Sequence, residues 1–472
     1  MAGMADPSYD VVVIGAGPVG ENVAARAHRG GLRACVVERR LAGGECSYFA
    51  CIPSKVMLRP VLAAAGTRRL GKALRPAEVD PAGVLERRDQ QAGRDDSGQA
   101  QWLADAGVEL VRGHARLDGE RRVIVTDAGS ETVLEARHAV VIAVGTDPAL
   151  PPIPGLAAAR PWTNREATTA SQVPKRLAVL GGGPVGCELA LAYAGLGAEV
   201  TLIGRGERLL GRFEPFAGAL VADGLREAGV DLRLGSQAAR VTRDGGSGPV
   251  TVDLAGGTAV EADEILAALG RQPSTTGIGL ASVGLESGSY VQVDDSLRAV
   301  GVPGGWLYAA GDANGRNLLT HMGKYQARVC GDVIAARAAG RPDDGPSLAA
   351  WADHTVTTQV VFTDPEVCSA GLTEAGARAR GIDVRAVVVD MTAAAGAGLQ
   401  ADGYRGRACM IVDEGRRVVV GATFAGQDTA DLLHSATVAV AGQVPLDRLW
   451  HAVPPFPTIS EVWLRLLEAY GL

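Results

Sequence analysis

Cys46 and Cys51 stand five positions apart in the segment Gly43-Gly44-Glu45-Cys46-Ser47-Tyr48-Phe49-Ala50-Cys51-Ile52-Pro53-Ser54-Lys55. Two thiols at this spacing can cycle between dithiol and disulfide, and a thiolate beside an oxidised ring is a two-electron donor. The pair also reads as two unrelated core cysteines, because free cysteine is among the most buried residue types. What surrounds the pair separates these readings.

Residues 9–14 form a β-branched run with no charge after Asp10, the pattern of a buried parallel strand. Gly15-Ala16-Gly17-Pro18-Val19-Gly20 follows, then a helical stretch over 21–28 and a second apolar strand over 34–37 that ends in Glu38. Strand, G-x-G-x-x-G, helix, strand and acid occur in the order of a dinucleotide site. Glycine lets the backbone turn and approach a pyrophosphate at the helix N-terminus, and Glu38 is placed to accept hydrogen bonds from a ribose diol. The order recurs: a strand over 176–180, Gly181-Gly182-Gly183-Pro184-Val185-Gly186, a helix over 187–196 and a strand over 199–203. Here the acid is absent; Gly204 and Arg205 hold its place, with Arg208 and Arg212 near. Arginine grips a 2′-phosphate that a carboxylate would repel, so the second site favours NADPH over NADH, unless these arginines are only a solvated loop. Two nucleotide sites with a cysteine pair after the first imply a flavoprotein that takes hydride from a nicotinamide. Residues 140–154, which contain Gly145, and 265–273, which contain Gly270, each read as a strand ending in glycine before a proline-marked turn. Residues 307–312 read as a strand ending in Gly311-Asp312, where a carboxylate could hold ribityl hydroxyls.

The elements that must position these residues fill a chain of 472 residues, long enough for two to four domains. Forty-six basic against 53 acidic residues leave a net charge of −7 without a basic stripe, which argues against nucleic acid. Seven cysteines do not make a secreted disulfide framework. No leader pattern opens the chain, residues 1–8 read as a loose tail, and no uninterrupted apolar run is long enough for a bilayer. A soluble cytoplasmic protein is expected, with no membrane partner and no metal site.

Taken together, the Cys-x4-Cys-x-Pro-Ser-Lys stretch, both fingerprints and the Ala-x-Gly-Asp segment resemble the class I pyridine nucleotide–disulfide oxidoreductases. These include dihydrolipoamide dehydrogenase, glutathione reductase and the core of mercuric reductase. The resemblance runs from about Tyr9 to Glu461. It implies an α/β fold of two Rossmann-like nucleotide-binding domains, one inserted in the other, plus an α+β dimerisation domain. The implied boundaries are 1–152 and 271–345 for FAD, 153–270 for NAD(P)H, and 346–472 for the interface domain, where 408–412 and 418–424 read as antiparallel strands. For FAD the matching positions are Gly15, Gly17, Pro18, Gly20, Glu38, Gly44, Ala115, Gly145 and Asp312. For NADP they are Gly181, Gly183, Gly186, Arg205, Arg208 and Gly270. Cys51 would form the thiolate beside the flavin, Cys46 would attack substrate, and Lys55 would pair with Glu188. A homodimer with a composite active site is implied in the same way.

Two departures stand out. The family's His-Pro-Thr-x-x-Glu run matches Phe456-Pro457-Thr458-Ile459-Ser460-Glu461, so phenylalanine occupies the place of the base. General acid–base catalysis of this kind contributes typically about 10²–10⁴ in rate. His451 lies five residues earlier, as a stand-in base or as a structural histidine. Pro184 replaces a tyrosine that shields the flavin in many relatives, and no terminal cysteine pair completes a mercuric reductase. Three functions follow as expectations. One is an NADPH-dependent FAD reductase passing electrons through Cys46–Cys51 to a quinone, a metal ion or an activated small disulfide. The second is a conventional disulfide reductase or dihydrolipoamide dehydrogenase-like enzyme using His451, and the third is a non-catalytic flavoprotein sensor.

Overall fold

The computed structural model describes residues 8–246 and 248–472. Most of the expected tail, residues 1–7, lies outside the described residues; Ser8 belongs instead to the first strand. The chain divides into two compact units. The first comprises residues 8–48, Gly93–Asp147 and Arg271–Asp353, the second Phe49–Ala92, Pro148–Gly270 and His354–Leu472.

In the first unit, β1 (Ser8–Ile14) is covered on both faces, with Val11, Val12 and Val13 fully buried. That explains its continuous apolar run. It pairs in parallel with β2 (Ala34–Glu38) on one side and Ser130–Ile142 on the other, Val12 lying opposite Cys35 and Val140. The sheet has seven strands. Its order is Glu109–Arg112, β2, β1, Ser130–Ile142, Arg122–Asp127 and His114–Leu117, with Leu307–Ala309 also on Ser130–Ile142. β1, β2 and Leu307–Ala309 run the same way, so Gly15, Glu38 and Gly311-Asp312 follow their carboxyl ends at one edge, where open parallel sheets bind ligands.

Helix α1 (Pro18–Arg29) begins three residues earlier than its sequence pattern suggests. Proline tolerates the first turn because its missing N–H has no helical partner there. Against α1 lies Thr320–Ala338, close enough that a Cβ on Gly331 would sit 2.6 Å from Arg26 Cβ. Arg26 Nε donates to Asp332 across this contact at 2.5 Å. The short α2 (Gly44–Tyr48) carries Cys46.

In the second unit, four parallel strands run in the order Asp231–Leu234, Glu199–Gly204, Arg176–Leu180 and Glu264–Ala267. Their fingerprint feeds the helix Pro184–Gly195, again started by a proline ahead of the expected boundary. On this helix packs α3 (Cys51–Arg68), through a core that includes Met57, Leu58, Leu189 and Tyr193. A Cβ on Gly195 would lie 2.2 Å from Val61 Cγ1. Three antiparallel strands between Ala238 and Ala262 form a separate sheet. A five-stranded antiparallel sheet follows, in the order Thr358–Val361, Glu366–Gly371, Val418–Gly426, Arg407–Asp413 and Val384–Asp390. The two strands expected there are neighbours, with Met410 opposite Ala422. The mixed α/β architecture with two nucleotide-type sheets agrees with the sequence expectation.

By length and composition alone, the helical stretch Gly44–Arg68 is long and apolar enough to cross a bilayer. The same stretch carries Lys55 in an ion pair with Glu188 and buries Met57 and Leu58 in a protein core. A core-facing helix with few charges produces that signature equally well.

The turn from β1 into α1 allows a direct test. A Cβ at Gly20 would fall 1.9 Å from Gly15 O, a backbone atom that no side-chain rotation can clear. Gly20→Ala is expected to cost about 1–3 kcal/mol, as overpacking does. The check is the midpoint of denaturant unfolding, lowered without a change in slope.

Candidate functional site

In the first unit the fingerprint forms a cradle that only glycine fits. Gly15 has φ +102°, and a Cβ there would lie 2.6 Å from Ala143 O. Gly17 faces Gly44: a Cβ on Gly44, whose φ is +62°, would stand 2.7 Å from Gly17 Cα. Gly43 N–H donates to Ala16 O at 2.7 Å. The turn that leads to Cys46 is therefore seated directly on the fingerprint. Pro18 starts α1 immediately after Gly17.

Glu38 closes the cradle. Its Oε2 accepts from Ala16 N–H at 2.9 Å and its Oε1 from Arg40 N–H at 2.8 Å. Each carboxylate oxygen has further lone-pair capacity for a ribose hydroxyl. Ala115 lies in the strand His114–Leu117, opposite Val125, and Gly113 N–H donates to Glu38 O at 3.0 Å. Gly145 has φ +71° and open space where a Cβ would be. Asp312 Oδ2 accepts from Thr146 Oγ1 at 2.8 Å. Burial pushes the Asp312 carboxyl up from its usual range, and Arg271 draws it down. Arg271 also donates to Glu45 at 2.9 Å and to Thr146 O at 2.6 Å. The residue before Cys46 is thus tied into the polar cluster around Asp312. Sequence reading missed this link, for which an isolated arginine after Gly270 offers no signal. A glycine cradle at a helix N-terminus, an acid at the end of β2 and a half-buried carboxylate beyond the third strand together fit a flavin dinucleotide.

Cys46 and Cys51 are disulfide-bonded. The remaining five cysteines, Cys35, Cys187, Cys330, Cys368 and Cys409, are free and buried. Burial pushes all five thiols up, Cys187, Cys368 and Cys409 to about 12, so none is a ready nucleophile. Thr320 Oγ1, at the first turn of Thr320–Ala338, donates to Cys46 Sγ at 3.2 Å.

In the second unit, Lys55 Nζ donates to Glu188 Oε2 at 2.5 Å. Glu188 is buried, and its other oxygen accepts from Phe362 N–H at 3.0 Å. The Lys55 ammonium also stands 5.0 Å from the centroid of the Phe362 ring. A buried carboxylate left without these partners would be costly. The second fingerprint repeats the first: Gly181 has φ +117°, and a Cβ at Gly186 would lie 1.9 Å from Gly181 O. Gly183 precedes Pro184 with open space around it, and Gly270 has φ +119°. After the strand Glu199–Gly204, Arg205, Arg208 and Arg212 are exposed, and Arg208 donates to Gly211 O at 3.1 Å. Glu207, unremarked in the sequence, leans toward Gly235, where a Cβ would come within 2.8 Å of its Oε1.

The C-terminal residues are not brought together as a base and its orienting acid. Glu461 is buried, accepts from Ala395 N–H at 2.9 Å and is held by Arg465 one turn along its own helix. Among the described residues, the His451 side chain makes no hydrogen bond or ion pair with Glu461. Phe456 is 76% exposed, and the nearby Val453 85%.

Comparison with known proteins bears on this geometry. The chain matches the family "Pyridine nucleotide-disulphide oxidoreductase" over residues 9–339 and its dimerisation domain over 357–466. It is 33% identical over 468 residues to dihydrolipoyl dehydrogenase 3 of Pseudomonas aeruginosa, covering 96% of each chain. It is 28% identical to a mercuric reductase of Staphylococcus aureus, covering 97% of this chain and 81% of that one. Among solved structures it is similar to LpdA from Mycobacterium tuberculosis, with a TM-score of 0.84, 25% identity and coverage of 99% and 100%. The flavoprotein disulfide reductase RclA of Escherichia coli shares the fold at a TM-score of 0.83 and 22% identity, over 98% of this chain and 99% of that one. With its Cys46–Cys51 disulfide and a dimerisation domain that supports homodimer formation, the chain belongs to the pyridine nucleotide–disulfide oxidoreductases, enzymes that use FAD and NAD(P)H.

Proposed function

We propose that this enzyme passes electron pairs from NADPH through its flavin and the Cys46–Cys51 dithiol to an acceptor that asks little proton transfer of the thiols. Quinones, metal ions and small disulfides with a good leaving thiol meet that condition. The observation that carries the reading is the disposition of Glu461: its carboxylate is taken up by Arg465 and Ala395 N–H, while Phe456 stands where a histidine base would be.

FAD, when bound, supplies two-electron exchange between a nicotinamide and a dithiol. Gly15, Gly17, Pro18, Gly20, Glu38, Gly44, Ala115, Gly145 and Asp312 are the residues assigned to hold it. Gly181, Gly183, Gly186, Gly270, Arg205 and Arg208 are assigned to NADPH. In the net reductive half, NADPH and one proton convert the Cys46–Cys51 bond into two thiols and release NADP⁺. In the oxidative half, two electrons leave with two protons as the bond re-forms, yielding a quinol, a reduced metal ion or two small thiols. Thr320 Oγ1 donates to Cys46 Sγ and would stabilise developing thiolate charge there. Lys55, fixed by Glu188, keeps a cation four residues from Cys51. The FAD domain is assigned to 1–152 and 271–345, the NADPH domain to 153–270 and the interface domain to 346–472. The active site is read as composite in a cytoplasmic homodimer.

A second reading keeps a conventional disulfide reductase in which His451 serves as the base. It draws on the exposure of the 450–456 segment, which leaves that histidine open to a second copy of the chain.

Anaerobic titration of the holoenzyme should consume two equivalents of NADPH, with a long-wavelength absorbance band after the first. Flavin bleaching after a single equivalent would show that the disulfide is uncoupled. In Cys51→Ser the second equivalent and the band should both disappear. A panel of quinones, Hg²⁺ and Cu²⁺ salts, lipoamide and low-molecular-weight disulfides then ranks the acceptors. Fast lipoamide turnover abolished by His451→Ala would overturn the first reading in favour of the second. For the pyridine nucleotide, Arg205→Ala should lower kcat/KM with NADPH about 10- to 100-fold and leave NADH nearly unchanged. That is the scale of one lost hydrogen bond to a charged group, about 1.5–3 kcal/mol.

A further inference from the structure

Glu21 is a buried carboxyl group for which neither nucleotide binding nor thiol chemistry has been given a use. It lies in the first turn of α1, its N–H donating to Gly17 O at 3.1 Å, and the residue is 4% exposed. Among the described residues, Oε1 of its carboxyl group is buried without a hydrogen-bond partner. An acidic side chain in a helical first turn is ordinarily favoured in its charged form by the helix dipole. Here burial outweighs the dipole and pushes Glu21 up to about 8. The ammonium of Lys324, on Thr320–Ala338, and Gly43 N–H, on the turn before α2, draw it down; Glu38, at the end of β2, raises it. Tyr48 on α2 also faces it, and its phenol is itself pushed up, by burial first.

The cofactor that the 15–20 fingerprint would hold brings a pyrophosphate, with two negative charges, to this same helix end. An ionised Glu21 one turn inside would repel it, and the neutral carboxyl would not. We propose that Glu21 is a pH-sensitive control on flavin retention: protonated while FAD is bound, it weakens the hold on the cofactor when it ionises. The inference rests on the assignment of FAD to that fingerprint. The sign follows from linkage: the bound state carries the extra proton, so affinity is highest at low pH. It falls as pH rises through the Glu21 transition, by no more than tenfold per pH unit for one proton.

The test uses holoenzyme diluted at pH 6 to 9.5, with released FAD separated by ultrafiltration and quantified by fluorescence. Wild type should show a dissociation constant flat at pH 6–7 that climbs at least fivefold by pH 9. Glu21→Gln should remain flat over the same range. Lys324→Met removes the cation that favours ionisation and should move the climb to higher pH. Equal slopes in wild type and Glu21→Gln, or no displacement in Lys324→Met, would overturn the proposal. Separately, Gly17→Glu should lose FAD at pH 6.5. If it retains FAD, the site assignment fails, and that outcome is distinct from a failure of the pH control.

Discussion

The close approach of Gly44 to Gly17 is the contact on which the glycine cradle of the first unit depends. Two backbones meet with no space for a Cβ, and the Gly43 N–H to Ala16 O hydrogen bond locks them. Through this contact the end of β1, the start of α1 and the helix bearing Cys46 become one rigid piece. Glu38, holding Ala16 N–H, and Arg271, bridging Glu45 and Thr146, extend that piece to the ends of two further strands. Hydrogen bonds to charged groups contribute about 1.5–3 kcal/mol each, and the desolvation cost of leaving one unmade is comparable. The arrangement is therefore preorganised in backbone and polar contacts, without relying on a flexible loop.

The second unit solves a different problem, that of keeping a charged lysine near a redox cysteine on an otherwise apolar helix. Glu188 answers it from a neighbouring helix, with Phe362 N–H satisfying its other oxygen. Removing one partner of such a pair leaves a buried charge and is far more damaging than replacing both. The closeness of the two helices, set by Gly195 against Val61, brings the partners within reach. The pair also accounts for how a stretch apolar enough to resemble a membrane span lies in a protein core.

Much of this was legible in the residues. Both glycine fingerprints, the strands around them and the cysteine segment have short periods and fixed spacings that survive without tertiary information. Helix starts were misjudged by three residues at both fingerprints, because the whole of each Gly-x-Gly-x-x-Gly stretch was assigned to the turn, whereas Pro18 and Pro184 already stand in a first helical turn, where the missing N–H has no partner to lose. Glu21, Glu45, Thr320 and Arg465 were not legible as site residues. Each is an ordinary polar side chain whose importance comes from a partner in another segment or from burial.

Residue type and local spacing were set by sequence alone: two glycine-rich turns after strands, two cysteines five positions apart, arginines after the strand Glu199–Gly204, and Phe456 ahead of Pro457-Thr458. Those features depend on residue type and on spacings of a few positions, which backbone geometry translates directly. Tertiary structure decided which carboxylates are free to act. Glu188 is committed to Lys55, Glu461 to Arg465 and Ala395 N–H, and Glu21 is left buried with an oxygen unpaired among the described residues. The reason is physical: a carboxyl group's charge state follows from desolvation and from partners brought in by folding, and neither is written at the position itself.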